Sequence, residues 1–288
     1  MNLHGFLDVV SITMGSLVMP KFFREGLATP PIDEHISAVD VTIPDMNDGG
    51  EWELEVDSVV GQVDVGLRMV KTEPSPGPVI IYHHGASETP ADFGFNKILV
   101  SASDELKADL VFVRAPFHRS MRDFRAGTAT LANWMAMIAV SVRVIESVID
   151  HLTGLGWGPV TVSGTSLGGF VSNLHKSHFA TAGAYVPIMA GTRMDAVILD
   201  SPYRRALPRL SESEEEQVRE ALDFSEGFAS AGGEDVYPLL ALHDEIVKYD
   251  LQRDSYVGCP VSSFAKGHTT GALAFTTLRR HILEHMAR

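Results

Sequence analysis

The sequence predicts one α/β domain over residues 1–288: a mostly parallel central sheet flanked by helices, with a small helical cap inserted at about 190–235. Three observations carry that expectation. Short apolar runs bounded by turn signals recur along the chain, and amphipathic stretches of helical period stand between them. One long stretch, 190–234, shows helical pattern without a strand. Strands that alternate with helices build a parallel sheet covered on both faces.

The elements follow in order. Residues 6–19 are apolar but carry Asp8, lack a basic leading segment and are too short to cross a membrane. A helix packed on the body, or covering an oligomer contact, is expected there. Residues 38–43, 52–60 and 63–70 read as extended pieces separated by strong turn signals, Asn47-Asp48-Gly49-Gly50 among them, and form a leading antiparallel part. Buried strands follow at 79–82, 110–113, 160–162, 184–189 and 236–242. Leu131, Met135, Ile138, Val142, Ile145, Ile149 and Leu152 fall on one stripe of a helix that stops at Gly154-Leu155-Gly156. Tyr256 to Val261 reads as a further buried strand holding Cys259, and 269–288 as a closing helix.

Composition removes several classes of function. A formal net charge of −14 disfavours nucleic acid or an anionic membrane as the main partner. A single cysteine allows no disulfide within the chain, so nothing favours an oxidising compartment, and a cytoplasmic location is expected. No stable membrane insertion is expected, and a homo-oligomer is left open.

The chemistry concentrates in Val160-Thr161-Val162-Ser163-Gly164-Thr165-Ser166-Leu167-Gly168-Gly169. This is G-x-S-x-G between a β-branched strand and a helical stripe. A serine on so sharp a strand-to-helix turn needs small neighbours two residues away, and Gly164 and Gly168 supply them. Upstream, Val79-Ile80-Ile81-Tyr82-His83-His84-Gly85-Ala86 is a strand ending in His-Gly. The N–H groups of Ala86 and Leu167 could then converge on a developing oxyanion, with His84, Gly85 and Thr165 beside the substrate.

A base must reach Ser166 from a loop at the same sheet edge. His268, in Ala265-Lys266-Gly267-His268, is placed for this, whereas His281 and His285 fall inside the last helix. Asp244, in the loop after 239–242, can orient the imidazole, with Glu245 as its rival. Arg114, Arg119, Arg122 and Arg125 cluster just after a strand in an otherwise acidic chain. Arg119 is the candidate contact for an anionic substrate group, against the alternative that these arginines pair with surface acids. His175 and His178, three apart on one helix, are a weak metal pair with no evident third ligand, so no metal site is assigned.

The order Ser166, Asp244, His268, with His84-Gly85 upstream and an acid-x-x-Val element at Asp244-Glu245-Ile246-Val247, resembles the α/β-hydrolase family of esterases and lipases. The resemblance covers the chain from about Pro78 onward. It implies the α/β-hydrolase fold, a carboxylic-ester substrate as the small-molecule partner, an acyl-enzyme route and no cofactor. The rival from another class is a non-catalytic small-molecule-binding protein of the same fold.

Overall fold

The computed structural model describes residues 2–72 and 75–287. Among them eight strands form one sheet: β1 Gly50–Ser58, β2 Gly61–Val70, β3 Val79–His83, β4 Asp109–Arg114, β5 Val160–Thr165, β6 Ala184–Ile188, β7 Leu239–Ala241 and β8 Ser262–Phe264. Their order across the sheet is β1-β2-β4-β3-β5-β6-β7-β8. The β1–β2 hairpin pairs antiparallel and meets β4 antiparallel; every pairing from β4 onward is parallel. The helices are α1 Leu3–Val18, α2 Ile32–Ser37, α3 Phe93–Ile98, α4 Met121–Gly127, α5 Leu131–Gly154, α6 Leu167–His178, α7 Met194–Leu199, α8 Glu212–Leu222, α9 Ser225–Ala231, α10 Tyr249–Arg253, α11 His268–Ala272 and α12 Phe275–His285.

The central strands β3, β5 and β6 are buried at every position because both faces of the sheet are covered. With side chains alternating, Val79, Ile81, Val111 and Val113 join the core under α5 and α6, while Ile80, Tyr82, Leu110 and Phe112 pack with α3 and α12. Helix α5 is apolar nearly all round and mostly buried, which explains its length and hydropathy without a membrane. Thr130 caps it by accepting the Asn133 N–H.

Between β6 and β7 lie α7, a 3₁₀ turn at Pro202–Ala206, α8 and α9, in the stretch where the pattern was helical. The acidic run opens α8, and Ser211 and Glu214 close a capping box there.

Four expectations are corrected. Residues 38–43 contribute only an isolated bridge between Asp40 and Asp57. The run from Tyr256 to Val261 is no strand: Gly258 turns at φ 86° and Pro260 cannot donate to a ladder, so extended pairing begins only at Ser262. Cys259 is accordingly half-buried in a turn, and burial pushes its thiol up to about 11. The closing helix is two helices, α11 and α12, broken just past Gly271, a poor helix former. At 236–242 only the three residues of β7 pair as a strand, Pro238 lying just before them.

Helix α1 is capped by Asn2, whose side chain accepts the Gly5 N–H. Its inner face covers the carboxyl ends of the strands, where the loops after β3, β5, β7 and β8 gather.

Candidate active site

Ser166 leaves β5 and precedes α6 with φ 55° and ψ −114°, a strained conformation for a residue with a side chain. The turn closes because its flanks are glycine. A Cβ on Gly168 would stand 2.1 Å from the carbonyl oxygen of His83, and one on Gly164 only 2.5 Å from the Gly168 carbonyl carbon. The Ser166 N–H donates to Ile188 O at 2.9 Å, so neighbouring β6 holds the elbow.

The structure brings Ser166, His268 and Asp244 into one hydrogen-bonded chain. The Ser166 hydroxyl donates to His268 Nε2 over 3.0 Å, and His268 Nδ1–H donates to Asp244 Oδ2 over 2.7 Å. The other carboxylate oxygen of Asp244 accepts the N–H groups of Ile246 and Val247 at 2.8 and 2.7 Å. Its own loop thus fixes the carboxylate before the imidazole meets it. Asp244, not Glu245, faces His268: the Glu245 side chain lies against Gly5 of α1. Burial alone would lower the His268 pKa. The charge and hydrogen bond of Asp244, with the charge of Asp8, outweigh it and hold the imidazole above its ordinary value.

Leu167 is the first residue of α6, where a backbone N–H has no partner within the helix. Ala86 lies across from it, and a recess of about 30 Å³ opens where Ala86, Ser166 and Leu167 meet. Ser166 and His268 also face a larger cavity of about 400 Å³, walled by Ile12 of α1, by Met19 just past that helix, and by Phe93, Phe124, Leu273 and Phe275. Gly85 and Thr165 line it too, and Thr165 Oγ1 is hydrogen-bonded to the Tyr82 hydroxyl at 2.9 Å.

Two expected substrate contacts lie elsewhere. His84 is fully buried; its Nδ1–H donates to Gly85 O at 2.7 Å and its Nε2 accepts the Ala115 N–H at 3.0 Å. Both ring nitrogens are spent on the backbone, so His84 shapes the loop rather than meeting substrate. Arg119 sits over the β1–β2 hairpin, paired with Glu53 and Asp64 at 2.9 Å each, and Arg114 binds the same two acids. Among the described residues lining the large cavity there is no arginine or lysine. His175 and His178 are likewise engaged, with Glu146 and Tyr185 and with Asp33 and Leu174 O respectively.

Glu88 and Asp8 are additions to the site. Glu88 lines the cavity and accepts N–H groups from Gly85 at 3.2 Å and from Gly94, and burial holds its carboxyl up to about 7. An acid three residues past the His-Gly turn was the available signal. For Asp8 the signal was a lone acid in an apolar helix.

A sheet of this order, with a strained serine between β5 and α6, an acid on the loop after β7 and a histidine opening α11 just past β8, is the α/β-hydrolase fold. The family described as alpha/beta hydrolase domain containing 18 matches residues 110–237, a stretch that holds Ser166 but ends before Asp244 and His268. Among curated proteins no sequence relative was found. Among solved structures, Est1E from Butyrivibrio proteoclasticus is similar with a TM-score of 0.56 and 14 % identity, over 82 % of this chain and 98 % of that one. Acetyl xylan esterase 1 from a Thermoanaerobacterium species is similar with a TM-score of 0.56 and 15 % identity, over 95 % and 93 %. Pyrococcus horikoshii acylaminoacyl peptidase has a TM-score of 0.52 and 13 % identity over 82 % of this chain, which spans 40 % of the peptidase.

Proposed function

We propose that the protein is a serine hydrolase that cleaves a carboxylic ester through an acyl-enzyme intermediate. The observation that carries this reading is the hydrogen-bonded chain from Ser166 through His268 to Asp244, open to an apolar cavity. The Ser166 oxygen attacks the substrate carbonyl carbon while His268 Nε2 takes the hydroxyl proton. The N–H groups of Leu167 and Ala86 stabilise the oxyanion of the tetrahedral intermediate. Its collapse breaks the ester bond, and the imidazolium returns the proton to the leaving alcohol. Water, deprotonated by His268, then attacks the acyl carbon and releases the acid, restoring the serine. Two of the structural neighbours are named an esterase and a peptidase, both acyl-transfer activities, which is in keeping with this chemistry.

The cavity favours an uncharged, largely apolar acyl group, and its size is that of a small-molecule site. A panel of p-nitrophenyl esters of graded acyl length, with matched thioesters and anilides, tests the reading. The expected result is turnover of at least one ester, with a burst of p-nitrophenol matching the enzyme concentration wherever deacylation is slower than acylation. An enzyme that turns over none of the panel removes the reading.

The same assay has a defined pH dependence. His268 acts as a base only when neutral, and its folded pKa is raised. The active fraction therefore grows as pH rises through that raised value and is lost below it. The acid limb of kcat/KM should have its midpoint above the ordinary histidine value of about 6.5. A midpoint well below that value contradicts the assigned ion pair.

A further inference from the structure

Helix α1 reaches the site through one carboxylate. Asp8 is fully buried, and the three partners of its carboxylate oxygens are backbone N–H groups, one on the loop that carries Asp244 and two at the start of α11, which His268 opens. Oδ2 accepts from His268 N at 2.7 Å and from Glu245 N at 3.3 Å; Oδ1 accepts from Thr269 N at 2.8 Å. One side chain therefore joins the residue after the acid to the base itself.

The docking around this carboxylate is close enough to fix its place. A Cβ on Gly267 would lie 2.6 Å from Asp8 Oδ2 and 2.9 Å from His4 O, and one on Gly5 would lie 2.9 Å from the Glu245 Cγ. His4 Nδ1 is hydrogen-bonded with Thr270 Oγ1 at 2.9 Å, and the His4 ring stacks on His243. The first turns of α1 thus rest on the Asp244 loop and on the start of α11, while its later turns wall the cavity with Ile12 and Ser16.

We propose that Asp8 is a positioning residue of the active site: it ties the start of α11, which carries His268, to the loop carrying Asp244, and so holds the imidazole in register with Ser166. The proposal rests on the serine-hydrolase reading. A peptide N–H bonded to a carboxylate makes a stronger hydrogen bond than one bonded to a neutral oxygen, and the backbone of His268 donates such a bond. An imidazole that must accept from Ser166 at 3.0 Å and donate to Asp244 at 2.7 Å tolerates little movement of its own backbone. The charged groups that bear on His268 are Asp244 from the loop after β7 and Asp8 from α1, both acting to favour the imidazolium.

Asp8→Asn keeps the shape, removes the charge and turns an amide N–H toward a donor. In the full chain, assayed on an ester that the wild type turns over, kcat should fall about 10- to 100-fold while KM changes little. The acid limb of kcat/KM should move to lower pH. Labelling by a fluorophosphonate should slow in parallel; its rate constant is read from whatever fraction folds, so a lower Tm does not obscure it. Asp8→Glu, which keeps the charge but displaces it by one methylene, is the second variant where Asp8→Asn does not fold, and it should lose kcat while keeping the wild-type midpoint. A wild-type kcat in whichever variant folds overturns the proposal, as does an unmoved midpoint in Asp8→Asn, because either outcome leaves α1 a merely structural covering. A wild-type protein that neither labels nor turns over any ester counts instead against the serine-hydrolase reading.

Discussion

Ser166→Ala is expected to lower kcat by about 10⁶, as removal of a serine nucleophile does when base and acid remain in place. The hydroxyl is the group that attacks, and among the residues lining the recess beside Ala86 and Leu167 it stands at the end of the hydrogen-bonded chain. What survives should be the part owed to binding and to the oxyanion donors, about 10³ to 10⁴ over the uncatalysed rate. The fold should persist. The positive φ at Ser166 is imposed by β5, α6 and the flanking glycines, and alanine meets the same strain as serine. The loss is a single partly exposed hydrogen bond, worth about 1 kcal/mol. Side-by-side kinetics and thermal melts check both halves, and a variant that keeps a tenth of wild-type kcat would remove Ser166 as the nucleophile.

Asp244→Asn should lower kcat by about 10⁴. The carboxylate accepts from His268 Nδ1 at 2.7 Å and so leaves Nε2 free to take the serine proton. An asparagine can turn its N–H₂ toward Nδ1 and stabilise the opposite tautomer, which leaves Nε2 protonated and unable to act as base. The loop geometry gives the substitution a definite orientation. Oδ1 is already held by the N–H groups of Ile246 and Val247, so the amide oxygen is drawn there and the amide nitrogen is left facing the imidazole. Glu245→Gln should cost far less, because that side chain lies against α1 rather than His268. If Glu245→Gln proved the more damaging of the two, the acid role would pass to it.

The sequence carried the nucleophile turn because its requirement is steric and local: only glycine fits at 164 and 168, and the strand and helix patterns on either side are strong. The choice between Asp244 and Glu245 was not legible, since it depends on which carboxylate its own backbone loop captures. The position of α1 was less legible still. Amphipathicity shows that a helix will bury one face, but the contacts that place it are 237 and 260 residues away in the chain. The place of Arg119 was open for the same reason. Clustered arginines beside a strand end suit either an anionic substrate or surface acids, and the β1–β2 hairpin supplies the acids, Glu53 and Asp64, to Arg114 and Arg119. The extended reading of Tyr256 to Val261 failed locally, where Gly258 turns the chain before it can pair.

The central claim is that Ser166 is an activated nucleophile, and covalent labelling tests it most directly. Wild-type protein and Ser166→Ala should be incubated with a fluorophosphonate near neutral pH and digested, and the modified peptide mapped by mass spectrometry. One adduct per chain, located on Ser166 and absent from Ser166→Ala, is the expected result. A wild-type protein that stays unlabelled, or an adduct on another residue that persists in Ser166→Ala, would contradict the account.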